Sequence, residues 1–374
     1  MCLGDAGAEV IKVEQPGKGD DTRAFGPPFV NGESTYFLSI NRNKKSVAID
    51  LKHPRGGELV KALARKSDVV VENFRPGVAK RLGLGHEALR GENPRLIYCS
   101  ISGFGHAGLP EFSALPGYDA VVQGLAGLQD VTGMPDGHPT RVGVPMSDLL
   151  SGMAAFQQVL LAVIQRHHSG EGAFLDVSML DATAAVLTFH AAAALNAGTK
   201  PSRQGNRHSS IAPYETFHAS DGYFNLAVGN DEQFVALCGL LAKPEWASDA
   251  RFKTNPERVR NRDALSAALS VIFATRTVDV WVTVLSEKGI PAGRIHRVDE
   301  VVKHPQLHAR GKVIEVAHPV AGTLKLLGSP VSRQTSALAP PTLGQHTREV
   351  LRQTLQLETA QIEALFAERV VAGQ

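Results

Sequence analysis

The chain has 374 residues, 43% hydrophobic and 20% charged, which is the balance of a folded protein and excludes a disordered or collagen-like chain. Its formal net charge is +2, so it has no global attraction for nucleic acid or an anionic membrane, and an anionic ligand must be held by local cations. Three cysteines (Cys2, Cys99 and Cys238) lie far apart with no C-x-x-C, which argues against a disulfide framework or thiolate metal site and fits the reducing cytoplasm.

At roughly 100–200 residues per domain, the length predicts about two domains. The first hundred residues alternate strands and helices. Ala8–Val13, Ser46–Leu51, Asp68–Phe74 and Leu96–Ile101 read as near-continuous apolar strands, with helices over Glu58–Ala64 and Val78–Leu89. That pattern predicts an α/β, Rossmann-like parallel sheet covered on both faces. The stretch Leu149–His167 reads as the clearest helix. Its apolar part is interrupted by Gln157 and Gln158, short of the ~18–20 apolar residues of a membrane span. No signal peptide is visible at the N-terminus.

A strand at Phe174–Ser178 and a helix over Asp181–Leu195 follow. Then the composition shifts. Tyr214–Val228 reads as a hairpin turning at Ser220-Asp221-Gly222, with helices over Asp231–Leu241, Asp263–Thr275 and Val278–Glu287. A second hairpin is expected over Val313–Leu327 and a helical tail over Thr347–Ala367, while Pro340-Pro341 reads as a surface loop. The expected layout is therefore a large domain over 1–200, a smaller α+β domain over 201–330, and a segment over 331–374 that returns to the large domain.

Gly103-Phe104-Gly105-His106-Ala107-Gly108 matches G-x-G-x-x-G, but the dinucleotide reading requires the loop to open a helix. Leu109-Pro110 follows instead, so the segment is expected to be a flexible loop. His304 and His308 lack a third ligand nearby and read as a surface helix start, so no metal is expected. Two basic clusters, Asn41-Arg42-Asn43-Lys44-Lys45 and Arg75 with Arg81, follow one another at the ends of successive strands. Each cation alone reads as solvated charge, but together they suit a phosphate-rich ligand. Asp148 begins the long helix. It reads either as a cap or first-turn carboxylate, or as a carboxylate nucleophile, and sequence physics leaves both open.

Several motifs occur in a fixed order: Gly7-Ala8-Glu9-Val10-Ile11-Lys12-Val13-Glu14, Asn41 to Val47, Val71-Glu72-Asn73-Phe74-Arg75-Pro76-Gly77, Pro116-Gly117-Tyr118-Asp119, and Asp148 with Ser151-Gly152. Gly205-Asn206-Arg207-His208, Gly229-Asn230-Asp231 and Gly344-Gln345-His346-Thr347 complete the set. Over essentially its whole length the chain resembles the class III CoA-transferases, the CaiB/BaiF family, and its C-terminal half resembles the succinyl-CoA:dicarboxylate branch.

The resemblance implies two subunits threaded as an interlocked homodimer. It implies no permanently bound cofactor, with acyl-CoA and small carboxylic acids as substrates. Asp148 matches the nucleophilic aspartate that forms an aspartyl–acyl anhydride and then an aspartyl–CoA thioester. Ile49, Asn73, Phe74 and Arg81 match CoA-contacting positions, Tyr118 and Asp119 fall beside the nucleophile, and Arg207 and His208 match the acyl pocket, where a cation would suit a distal carboxylate. Gln15 stands where many members carry a CoA-binding arginine. The first residues look like the middle of the family's first helix, without the strand and Ala-Gly-Pro loop that members usually carry before it, which is expected to reflect either a misassigned start or a true truncation. An α-methylacyl-CoA racemase is the alternative activity. It needs a second base where this chain has Tyr118, and a tyrosine with a pKa of about 10 is a poor base at neutral pH. A catalytically silent CoA-binding homologue is the third reading.

Overall fold

Val47, Ala48 and Ile49 have no exposed surface, and this run forms the middle strand of a sheet. The computed structural model describes residues 1–113, 115–330 and 337–374, so the first residues of the expected returning segment, 331–336, lie outside the described residues. In chain order the strands are β1 (Ile11–Glu14), β2 (Phe29–Val30), β3 (Glu33–Ser34), β4 (Lys45–Ile49), β5 (Val69–Glu72), β6 (Ile97–Ser102), β7 (Phe174–Ser178), β8 (Tyr214–Ala219), β9 (Gly222–Ala227), β10 (Ala292–Arg294), β11 (Val313–His318), β12 (Gly322–Leu327) and β13 (Val371–Ala372). The chain divides into two compact units. One holds Met1–Ala126, Gly143–Leu187 and Val302–Gln374, and the other Gly127–Val142 and Thr188–Val301.

In the first unit, the expected single parallel sheet is two three-stranded sheets among the described residues. β1 pairs parallel with β4, and β13 adds to β4 antiparallel. β5, β6 and β7 form a wholly parallel second sheet, in which Glu72, Ser100 and Asp176 stand in one cross-strand row. Because side chains alternate along a strand, that row lies opposite Cys99 and Val177, which pack on Ala155 and Val159 of the helix Met146–Ser169. By length and composition this helix could cross a membrane, but its Ala155–Val159 face covers the sheet. The β11–β12 hairpin packs on Leu38 through Ile314, Val316 and Leu324, which places it in the first unit rather than with residues 201–330.

The second unit is built on the β8–β9 hairpin with β10 alongside. Its core gathers Phe217, Phe224, Phe273, Trp281 and Leu285, with Phe224 and Phe273 edge to face at 5.1 Å. Asp221 in the hairpin turn accepts from the Val278 N–H (2.7 Å), which ties the turn to the helix Val278–Glu287.

Several expected helices break at identifiable residues. The stretch 78–89 splits at Gly83, whose φ of +70° no helix accommodates. The stretch 181–195 splits before Thr188, at φ +41°. The tail splits at Gln356, and Glu358 and Gln361 then form a capping box that starts the helix Thr359–Ala367. Pro340 and Pro341 are buried rather than on the surface, and the Pro341 carbonyl accepts from Arg23 (3.1 Å).

Candidate active site

The long helix begins at Met146 after Pro145, which places Asp148 in its first turn and not at the cap. The Asp148 side chain makes no hydrogen bond among the described residues and is exposed on one side. Partial burial raises its pKa, and the charge of Asp119 raises it further. A structural first-turn carboxylate would be bonded to helix N–H groups. This one is left basic and open.

Asp119 is its opposite. It starts the helix Asp119–Leu125, with Tyr118 as the residue before it. One oxygen accepts from the Ser147 N–H (2.9 Å) and the other from Gln123 (2.8 Å), which lies one helical turn on and is fully buried. Two neighbouring carboxylates therefore stand in different settings: Asp119 bonded and fixed, Asp148 without a hydrogen bond among the described residues. Ser147 itself is fully buried, and its Oγ has no partner among the described residues.

Sequence reasoning missed Tyr36. It lies in the helix Thr35–Ile40, edge to face with Phe25 (5.4 Å). Burial raises its phenol pKa, and the charges of Asp148, Asp119 and Asp20 add to the effect, so Tyr36 lies within electrostatic reach of Asp148. Its sequence distance from Asp148 hides this, because no spacing rule links residues 36 and 148.

The end of β5 carries a second group of predicted residues. Phe74 is exposed, and its N–H is held by the Glu72 carboxylate (2.7 Å). Asn73 bonds the Ile101 carbonyl (2.7 Å), fastening this turn to β6. Arg75 and Arg81 are exposed and have no ion pair among the described residues, so they are open to an anion. Ile49, in contrast, is wholly within the core with Leu63 and Val350 and offers no side-chain surface to a ligand.

The other basic cluster is consumed internally. Arg42 is 3% exposed and paired with Asp5 (2.6 Å), Lys45 pairs with Glu9 and Glu349, and burial pushes the Lys44 ammonium down to about 8. Gln15 follows β1 on the surface. His304 caps the helix Pro305–Ala309, as a surface helix start should, and no metal-holding group of three side chains exists among the described residues.

In the second unit, Arg207 bonds Glu215 (3.2 Å) and Asp263 (2.7 Å). His208 stacks near Phe189 (5.6 Å) and Tyr214 (5.2 Å), and its Nδ1 accepts from the Ser210 N–H (3.2 Å).

A model of the family described as CoA-transferase family III matches residues 1–347. The chain belongs to this family. It is 43% identical to the mouse (Mus musculus) succinyl-CoA:glutarate CoA-transferase, covering 99% of this chain and 86% of that protein. It is likewise 43% identical to the acetyl-CoA:oxalate CoA-transferase of Acetobacter aceti, over 88% of this chain and 83% of that one. Among solved structures, a CaiB/BaiF family protein from Brucella suis superposes with a TM-score of 0.81 at 40% identity, covering 93% and 92% of the two chains. As a family III member the chain is a CoA-transferase, and its mixed α/β architecture with a parallel sheet is that of the CaiB/BaiF structures.

Proposed function

We propose that the protein moves CoA from succinyl-CoA or a similar donor to a dicarboxylic acid acceptor, with Asp148 as the covalent nucleophile. The observation that carries this reading is the unbonded, partly buried Asp148 carboxylate beside the fully bonded Asp119. An Asp148 oxygen attacks the thioester carbonyl, the C–S bond breaks, and CoA leaves as thiolate. The thiolate then attacks the aspartyl carbonyl of the mixed anhydride, which releases the donor acid and leaves an aspartyl–CoA thioester. The acceptor carboxylate attacks that thioester and expels the thiolate. In the last step the thiolate attacks the acceptor's acyl carbon, giving the new acyl-CoA and free Asp148. Each step exchanges one acyl bond for another, so no outside energy is required. The Tyr36 phenol, which lies within electrostatic reach of Asp148, is the proposed donor to the developing oxyanions.

Arg75 and Arg81 with Phe74 fit the phosphates and adenine of CoA. Arg207 and His208 are the proposed readers of the acceptor's distal carboxylate. Arg207 keeps Nη2 unbonded among the described residues, and His208 keeps Nε2. The names of the mouse and Acetobacter relatives support dicarboxylate substrates. A homodimer, interlocked as in the family resemblance, is supported by the apolar row Leu149, Met153, Leu160 and Ile164, which is exposed along the long helix.

The deciding experiment is mass spectrometry after mixing the protein with succinyl-CoA and quenching with hydroxylamine. A hydroxamate on the peptide holding Asp148 is the expected result. Bound CoA without modification would overturn the covalent mechanism and favour the racemase-like or silent reading.

A further inference from the structure

The loop after β6 is pinned rather than flexible. The Gly105 N–H donates to Ser102 Oγ (3.0 Å), and His106 Nε2 lies 2.7 Å from Ser100 Oγ. One oxygen of Asp176 accepts both the His106 N–H (2.8 Å) and the Ala107 N–H (3.2 Å). Asp176 projects from β7 in the same row as Ser100. Its second oxygen is buried and has no hydrogen-bond partner among the described residues, and no cation pairs with it there. The third member of the row, Glu72, is committed to the Phe74 N–H. A buried carboxylate oxygen left unpaired is unfavourable for the fold, and such an exception calls for a functional account.

The base of the same loop leads to the catalytic carboxylates. Gly103 and Gly117 touch backbone to backbone, so closely that a Cβ on Gly117 would stand 2.3 Å from Gly103 Cα. The Gly103 carbonyl also accepts from the Leu180 N–H (3.0 Å), just past β7. Gly117 is followed at once by Tyr118 and Asp119, and Asp119 grips the Ser147 N–H next to Asp148.

We propose that Asp176 is a positioning residue for CoA transfer: by holding the His106 and Ala107 backbone it fixes the Gly103–Gly117 contact, and thereby the placement of Asp119 beside Asp148. Asp176 touches no reacting atom. It acts through the loop base, and the inference rests on the reading of Asp148 as nucleophile. The role requires a hydrogen-bond acceptor of carboxylate shape rather than a negative charge.

The test compares wild type, Asp176→Ala and Asp176→Asn in the succinyl-CoA and hydroxylamine labelling assay, alongside thermal melting. Asp176→Ala should slow labelling of the Asp148 peptide at saturating succinyl-CoA by roughly tenfold or more, with little change in the half-saturating concentration. Asp176→Asn, whose amide oxygen still accepts both N–H groups, should recover most of the rate. A lower melting temperature with an unchanged labelling rate per folded molecule would make Asp176 purely structural and overturn the inference. An Asn variant as slow as the Ala variant would also overturn it. If Asp176→Ala does not fold, Asp176→Leu, which fills a similar volume without an acceptor, takes its place, and an unchanged labelling rate there overturns the proposal. Unlabelled wild type would overturn the nucleophile reading and this inference together. Labelled wild type with unaffected variants would overturn this inference alone.

Discussion

Asp119 commits both carboxylate oxygens to hydrogen bonds, while Asp148, close enough to feel its charge, commits neither. The helix-start carboxylate that a structural role would use is thus left unsatisfied, and its neighbour holds the helix start in its place. Asp119→Asn tests this division. It removes the like charge while keeping an acceptor for the Ser147 N–H. The Asp148 pKa should fall, and the acid limb of the pH–labelling profile should move to lower pH. Burial is the larger cause of the raised pKa, so the profile should move only part of the way toward that of an ordinary aspartate. An unmoved acid limb would show that Asp119 does not influence the nucleophile electrostatically.

Asp148→Asn should abolish labelling altogether while leaving the melting temperature within about a degree, since the side chain makes no hydrogen bond among the described residues and surface changes of this kind stay within about ±0.5 kcal/mol. Intact mass and a thermal scan check both halves. A large drop in melting temperature would reveal a structural role for this carboxylate.

Gly117→Ala should be costly for a different reason. The added methyl meets the Gly103 backbone, which cannot rotate aside as a side chain would. We expect a loss of about 1–3 kcal/mol from overpacking, with labelling reduced further than stability because Tyr118 and Asp119 are displaced. Denaturant unfolding and the labelling rate check the two effects separately. A fully active, fully stable variant would refute the close contact.

The parts of the fold written as local pattern were legible in the sequence. Val69-Val70-Val71 is a strand because β-branched side chains suit a pleated, half-buried surface, and Val71 is indeed half exposed. The β8–β9 hairpin followed from Ser220-Asp221-Gly222. Long-range relations were not legible. Tyr36 comes within electrostatic reach of Asp148 only through tertiary packing, and Asp176 read as one more residue of a strand. Arg42 looked like free charge because Asp5, its partner, is 37 residues away. Gln123 did leave a signal: an amide four residues after Asp119 on a helix is a hydrogen-bonding spacing. Asp148 was located by resemblance to a family. That it is left unbonded could only be seen in the structure.

Two histidines predict acid lability. His346 Nδ1 accepts from the Ser46 N–H (3.2 Å), and His318 Nδ1 accepts from the Val320 and Ala321 N–H groups (3.2 and 2.9 Å). Burial lowers both pKa values below the ordinary histidine value of about 6.5. The unfolded chain therefore binds these protons first as pH falls. Their contribution is complete above about pH 6.5 and declines as pH drops from there toward the lowered folded values. The melting temperature should fall between pH 7 and 5. His346→Gln, which keeps an acceptor but cannot titrate, should flatten part of that fall. A variant with the wild-type slope would assign the acid sensitivity elsewhere.

The most buried charge at the end of β1 sets the last prediction. Glu14 is 4% exposed and accepts two bonds from Arg23 (2.8 Å each), one from Ser46 Oγ (2.6 Å) and one from the Asp20 N–H (3.0 Å). Arg23 also lies over the Phe37 ring at 3.7 Å, and Ser46 Oγ accepts from the Gly344 N–H (2.8 Å). One carboxylate thus gathers β1, β4, the turn carrying Gln15 to Asp20, and the C-terminal segment. Glu14→Ala leaves the Arg23 guanidinium without its counter-charge in a nearly dry site. Breaking such a pair costs about 3–5 kcal/mol. Glu14→Gln keeps the shape and should cost less, because the amide oxygen still accepts from Arg23. Removing both charges with Glu14→Gln and Arg23→Met should recover part of the loss, since the main cost is the stranded charge. Urea unfolding of the three variants checks the order. If the double variant were less stable than Glu14→Ala, the lost attraction between the two groups would outweigh the stranding of the arginine.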